Sequence, residues 1–164
     1  MKDRLLFESL HTQYHGMVTQ VCLGFVKGDR ALADDLSQEI FINVWNALER
    51  FRGDASYKTW IYRITVNTCL QYIRRDKSKR NTSIAVIEQS AIHHDTEKEG
   101  LRDDLYQAIG RLSEVDRLII MMVLDELDYE EISRVVGIAE ATLRVKIHRI
   151  KTRLKRIMEY ETGD

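Results

Sequence analysis

Apolar residues recur at three- and four-residue intervals along nearly the whole chain, the spacing of helices that bury one face. Leu6, Leu10, Tyr14, Met17, Val21 and Phe25 mark a first long helix, which Gly28-Asp29 ends, with Asp29 placed to cap the next. That second helix runs to about Leu48 and buries Leu32, Leu36, Ile40, Val44 and Leu48. Its opposite side shows Asp34, Asp35, Gln38, Glu39 and Asn43. The loop Arg52-Gly53-Asp54-Ala55-Ser56 follows, and Ser56 can cap a third helix through Trp60, Ile64 and Asn67 to about Lys79. Three such helices can close a small core.

Residues 81–100 read as a flexible linker, polar apart from Ile84, Val86 and Ile87, which could dock elsewhere. Helical periodicity resumes with Leu101, Leu105, Ile109 and Leu112. Ser113 can cap the next helix, which carries the apolar run Leu118 to Leu124. Asp128-Tyr-Glu-Glu131 has capping-box spacing, with a carboxylate in place of the usual hydroxyl. A short helix with Ile132, Val135 and Val136 stops at Gly137, and another begins near Glu140 and passes Lys155. With no proline and no alternating strand pattern, the expected fold is all-α. It consists of two small helical domains, residues 1–80 and 101–164, joined by the linker.

Charge changes this picture more than composition does. The net charge is -1 over 164 residues, yet the sign alternates by segment. Residues 1–49 hold 4 basic and 7 acidic side chains, and residues 50–80 hold 9 and 2. Residues 81–138 hold 5 and 13, and residues 139–164 hold 7 and 4. Two basic zones separated by an acidic one suggest two contacts on a polyanion. Within the first basic zone Phe51, Tyr57, Trp60, Tyr62 and Tyr72 are interleaved, and exposed rings offer faces on which unpaired bases stack. An amphipathic helix with core aromatics and a solvated basic end would produce the same stretch.

The second basic zone is more specific. A short helix, the Gly137-Ile138 turn and a longer basic helix form the pattern of a helix-turn-helix, whose second helix enters the major groove. Leu143, Ile147, Ile150 and Leu154 give that helix an inner stripe. Thr142, Arg144, Val145, Lys146, His148 and Arg149 are left to face outward. Arginine can grip guanine in a bidentate way, whereas a lysine at the helix end suits a phosphate. A capped helix hairpin with a solvated tail would explain the turn but not the one-sided charge.

These motifs, taken together, resemble bacterial extracytoplasmic-function sigma factors. Asp35-Leu-Ser-Gln-Glu-Ile-Phe41 with Trp45, Phe51-Arg-Gly-Asp54 and Thr59-Trp-Ile-Tyr-Arg-Ile-Thr-Val-Asn67 are similar to their region 2. Leu112-Ser-Glu-Val-Asp-Arg117, Tyr129-Glu-Glu-Ile-Ser133 and Ala141-Thr-Leu-Arg-Val-Lys-Ile-His-Arg149 are similar to their region 4. The resemblance implies a dissociable subunit that directs core RNA polymerase to particular promoters and helps to open them. It also implies an anti-sigma factor as a partner. No further domain is expected before region 2 or after region 4.

Carried over by position, Asp35, Gln38, Glu39 and Asn43 would meet the clamp of the polymerase largest subunit. Phe51, Arg52, Gly53, Asp54, Ala55 and Ser56 would form the loop that captures a flipped non-template base of the minus-ten element. Trp60, Arg63, Ile64 and Asn67 would line that single strand and the edge of the melted duplex. Thr142, Arg144, Val145, His148 and Arg149 would face the minus-thirty-five element, with Arg74, Arg75, Lys146, Lys155 and Arg156 on phosphates. Ala141, Val145 and His148 depart from residues common in the family, so promoter sequence does not transfer from a relative.

Other signals carry less. Cys22 and Cys69 lie in apolar helical patterns without CxxC spacing, the reading of buried free thiols rather than a zinc site or disulfide. His11 and His15 are spaced for a metal on a helix but lack a third ligand in register, and His93-His94-Asp95 sits in the polar linker. No Gly-rich phosphate loop or nucleophilic constellation is present, so no catalytic residue, metal or cofactor is expected. The N-terminus lacks the apolar core of a signal peptide, and Leu118–Leu124 is too short to insert in a bilayer, which together suggest a cytoplasmic protein. A stand-alone helix-turn-helix regulator of duplex DNA is the alternative, and a sigma-like decoy that binds without opening DNA is a third. The regulator has no use for Trp60, Asn67 and the Arg52–Ser56 loop, and the completeness of region 2 counts against the decoy.

Overall fold

A computed structural model describes residues 3–80 and 97–162, and the linker residues 81–96, with His93, His94 and Asp95, lie outside them. The described residues form seven α-helices and no strand. In the N-terminal half these are α1 (Arg4–Phe25), α2 (Arg30–Ala47) and α3 (Tyr57–Arg80). The C-terminal half holds α4 (Glu97–Ile109), α5 (Glu114–Leu124), α6 (Tyr129–Val136) and α7 (Glu140–Thr162).

Several expected caps form. Asp29 accepts from the Leu32 amide at 3.1 Å, Ser56 from Thr59 at 3.1 Å, and Asp128 from Glu131 at 2.8 Å. Each satisfies a backbone donor that the first helical turn leaves unpaired. Ser113 takes the extended backbone of a cap, but its hydroxyl makes no capping bond. Gly137 closes α6 in the left-handed conformation (φ 72), which glycine adopts without the Cβ clash other residues meet.

Three boundaries and positions differ from the sequence reading. The second helix ends at Ala47, and Leu48–Arg50 tighten into a 3-10 turn that aims the chain into the following loop. Helix α4 begins at Glu97, inside the expected linker, where no apolar residue marks its start. Leu101, expected on the inner face, is 72% exposed, since the buried positions of α4 start later, at Ala108 and Ile109.

Val18, Cys22, Ala33, Ile40, Val44, Ile61 and Cys69 from the N-terminal half and Leu118, Ile119, Met122, Ile132, Leu143 and Ile147 from the C-terminal half are buried in one continuous hydrophobic core. Burying a large aliphatic side chain of this kind contributes about 1.5–3 kcal/mol. The Cys69 thiol is pushed well up by a hydrogen bond with Cys22 and by burial, so both sulfurs act as small core hydrophobes.

The two halves also pack against each other, α5 on α1 and α6 on α3. At the α1–α2 corner, Arg117 Nη1 donates to the Phe25 carbonyl (3.2 Å) and Nε to Leu112 (3.0 Å). Burial lowers the pKa of this guanidinium, against a smaller opposing effect of Glu114. Gln107 donates to the Lys27 carbonyl at 3.0 Å. The Met121 thioether lies directly over Gly24, where any Cβ would fall 2.3 Å from its sulfur. Further along, the fully buried Tyr62 donates its hydroxyl to Asp125, whose carboxylate is also 3.8 Å from the Lys58 ammonium. Lys77 and Glu114 close the far end at 3.4 Å.

Candidate nucleic-acid interface

The polar side of α2 is not a uniform stripe. Asp35 and Gln38 are exposed. Glu39 is half-buried, with its carboxylate 2.6 Å from Arg75 on α3. Asn43 donates its amide to the Thr68 hydroxyl at 3.0 Å. The four residues stay on one helix face, but two present themselves outward and two brace α2 against α3.

Helix α3 carries the aromatic and amide residues at i, i+3, i+4 and i+7, so Trp60, Arg63, Ile64 and Asn67 share one face. The first three are half-buried and Asn67 is exposed. Trp60 is therefore a wall with one surface open. Phe51 stacks on Tyr57 (centroids 4.3 Å apart, 24° between planes) and leans on Trp60 at 5.0 Å. This three-ring shelf borders the loop, whose Arg52, Gly53, Asp54 and Ser56 are exposed and whose Ala55 is half-buried. The Ser56 hydroxyl is engaged, accepting from the Thr59 amide and donating to the Thr59 hydroxyl at 3.1 Å. Gly53 turns the loop with φ 78 and nothing near its missing Cβ. Arg74 is exposed further along α3, whereas Arg75 is held by Glu39.

In the C-terminal half, α6, the Gly137 turn and α7 have the order and lengths of a helix-turn-helix. The Ser133 hydroxyl donates to the Ile138 carbonyl at 2.5 Å and fixes the turn. Leu143, Ile147, Ile150 and Leu154 are buried as the periodicity predicts, which leaves Thr142, Arg144, Val145, His148 and Arg149 exposed. The guanidinium of Arg144 is 2.9 Å from Glu140 and 5.2 Å from the centre of the Tyr129 ring, so it is pre-oriented on the helix surface. Lys146 differs from its neighbours: its ammonium lies 3.1 Å from Asp116 as an ion pair that ties α7 to α5. Lys155 and Arg156 are exposed, the former 3.9 Å from Glu159.

Tyr57, Tyr129 and Glu140 join these surfaces, although none was among the expected site residues. Tyr57 was visible in the aromatic interleaving and Tyr129 in the region 4 motif, but the contacts of Tyr129 and Glu140 with Arg144 depend on where that guanidinium points. His11 and His15 pack their rings 5.0 Å apart, with His11 4.5 Å from Phe41. Among the described residues no group of three or more His, Cys, Asp or Glu could hold a metal ion. Among them, too, no helix is long and apolar enough to cross a membrane.

A family model for sigma-70 region 2 matches residues 10–79, and one for sigma-70 region 4 matches residues 102–154. The ECF RNA polymerase sigma-E factor of Escherichia coli (strain K12) is 33% identical over 91% of this chain and 84% of its own length. RNA polymerase sigma factor YlaC of Bacillus subtilis (strain 168) is 28% identical over 96% and 95%. The fold is shared with the sigma factor RpoE solved with the anti-sigma factor NepR from Bartonella quintana. The TM-score is 0.82 at 20% identity, covering 93% of this chain and 96% of that one. CnrH, solved with the cytosolic domain of CnrY, gives a TM-score of 0.72 at 18% identity, covering 96% and 90%.

Proposed function

The chain belongs to the extracytoplasmic-function sigma factors of the sigma-70 family, and from that premise we propose how its surfaces divide the work of initiation. A sigma factor directs RNA polymerase to promoters, and here Asp35 and Gln38, with Glu39 and Asn43 beside them, are the polymerase contact. An exposed acid and amide on a helix braced from behind can be desolvated by a basic partner without the helix moving. The Phe51–Ser56 loop receives a flipped minus-ten base. The Phe51–Tyr57–Trp60 shelf offers it a stacking wall, and Asn67, Arg63 and Ile64 continue the track for the single strand.

Region 4 reads duplex DNA through Thr142, Arg144, Val145, His148 and Arg149. Val145 is 52% exposed, an apolar group suited to a thymine methyl in the major groove. Lys155, Arg156 and Arg74 take phosphates. Lys146 contributes charge from a fixed position, and Arg75 does so only when Glu39 releases it. The protein works by binding rather than by turnover, in the cytoplasm where polymerase and promoters are. Relatives solved with anti-sigma factors support an inhibitory protein partner of the same kind for this chain.

One observation carries this reading: two chemically different DNA-competent faces, an aromatic–amide track and a basic recognition helix, on separate domains in the family's order. The test is to add the chain to core polymerase and map transcript starts genome-wide, with permanganate footprinting of unstacked thymines on a linear promoter. New starts sharing an upstream motif are expected, with a changed minus-ten base preference for Asn67→Ala. A footprint on duplex DNA by the chain alone, with no opening under polymerase, would instead favour a stand-alone regulator.

A further inference from the structure

We propose that Glu140 selects a base in the minus-thirty-five element: its carboxylate accepts from the exocyclic amino group of a cytosine and repels bases that present acceptors at that position. This role rests on the assignment of α7 as the upstream DNA reader, and adds to it a residue that restricts binding rather than strengthening it.

The charge pattern of α7 sets the problem. Between residues 141 and 158 the helix carries seven lysines and arginines and no acid. Glu140 is its first residue, at the end that reaches the base edges in a helix-turn-helix. An anion there opposes the phosphates that the rest of the helix attracts. A helix start by itself favours a carboxylate, through the positive end of the helix dipole. Where the side chain goes decides between the two roles.

Glu140 is exposed, and its carboxylate runs along the helix to Arg144, 2.9 Å from the guanidinium. On its other side Arg144 covers the ring of the half-buried Tyr129, 5.2 Å from the centroid. The arginine is therefore clamped before DNA arrives, between an acid on its own helix and a ring on α6. A bidentate grip on guanine uses only part of its fork of N–H donors and leaves others for Glu140. The carboxylate has several lone-pair sites, and the bond to Arg144 uses one. Glu140 can thus enter the groove with its charge partly answered and still accept from a base. The rise between the two residues is about 6 Å, against about 3.4 Å per base step, so their heads act within about two base pairs of each other.

The major-groove edges then sort themselves. Cytosine presents a donor and no acceptor, guanine and thymine present acceptors, and adenine presents one of each. An ionised carboxylate has no donor, so beside guanine or thymine it loses its water and gains only repulsion. The contact discriminates chiefly by penalising wrong bases. Folding needs it little, because an exposed i, i+4 pair contributes weakly to stability.

Fluorescence anisotropy of holoenzyme on promoters permuted one upstream base pair at a time tests this with wild type, Glu140→Ala and Glu140→Gln. Wild type should prefer cytosine at one position by about five- to 150-fold, the effect of a single mismatch. Glu140→Ala should reduce that ratio about tenfold, because the other three bases gain affinity while the cytosine promoter holds. Glu140→Gln should move the preference to adenine, since an amide can donate to N7 and accept from N6 at once. A charge or helix-start role would not move the preferred base. One common factor on every promoter, with the base ranking unchanged in both variants, would overturn the proposal and leave Glu140 as an anion at a helix start. No upstream base preference in the wild type would bring down the assignment of α7, and selection by Glu140 with it. The wild-type profile alone tells these two failures apart.

Discussion

Arg144→Ala is the most informative single substitution in the recognition helix, because the structure shows what Arg144 does before DNA arrives. Its guanidinium holds Glu140 at 2.9 Å and covers the Tyr129 ring, with the arginine 61% and the glutamate 44% exposed. An exposed i, i+4 pair is worth about 0.3–0.5 kcal/mol, and an exposed cation–π contact about 0.5–1 kcal/mol. The fold therefore loses at most about 1.5 kcal/mol when Arg144 is removed, and α7 remains anchored by Leu143 and Ile147. A base contact by the same guanidinium is worth about 1–3 kcal/mol, five- to 150-fold in affinity. The effect of the substitution on promoter binding should thus exceed its effect on folding and be confined to particular upstream base pairs. Glu140→Ala is the companion variant: it frees Arg144 and removes an anion from the DNA side, so affinity should hold or rise slightly. Fluorescence anisotropy of holoenzyme on promoters permuted one upstream base pair at a time gives both numbers. A loss of equal size on every permuted promoter would show that Arg144 supplies charge only and that α7 does not read bases through it.

The remaining expectations concern other surfaces. Gln38→Ala with Glu39→Ala should abolish co-purification with core polymerase, since truncating desolvated charged contacts can cost about 2–5 kcal/mol, while circular dichroism stays native. Unchanged co-purification would move the interface off α2. Lys155→Ala and Arg156→Ala should weaken all promoters alike and each reduce the salt slope by about 1, whereas Lys146→Ala should also lower the melting temperature through Asp116. Equal melting temperatures for the three variants would deny Lys146 its structural part. His11 has its pKa lowered by burial and then by His15. Its contribution to stability is therefore full above the ordinary value of 6.5 and lost as pH falls through the lower folded value. His11→Gln should flatten that acid limb of a melting-temperature profile, and an unaltered limb would assign it to another group.

Much of this was legible in the residues. Periodicity located the helices because each buries one stripe, and the caps at Asp29, Ser56 and Asp128 follow from side chains able to reach a backbone amide three residues on. The outward set on α7 followed from the buried set, Leu143, Ile147, Ile150 and Leu154, without further information. What stayed hidden is long-range. Nothing near Asn43 in sequence announces that Thr68 will occupy its amide, nor does the basic run 74–80 reveal that Arg75 will answer Glu39. The start of α4 was missed for a different reason, since its first turn is polar and offers charge at a helix end but no apolar stripe. The packing of one domain on the other depends on Gly24, Tyr62 and Asp125. Their local patterns read as ordinary helix interior and helix end.

If α2 meets polymerase and α3 meets DNA as proposed, the pairing of Glu39 with Arg75 makes those two partners share one counterion. On the assignment proposed above, the carboxylate is on the polymerase side of α2 and the guanidinium, 2.6 Å from it, is on the DNA side of α3. A basic group of polymerase that takes Glu39 displaces Arg75, which is then available to a phosphate. A phosphate that takes Arg75 first leaves Glu39 seeking a cation. Thermodynamic reciprocity requires the two effects to be equal in free energy, whichever partner arrives first. The proposed assignment therefore links loading of polymerase and grip on the melted strand through a single exchange of ions, without any helix having to move.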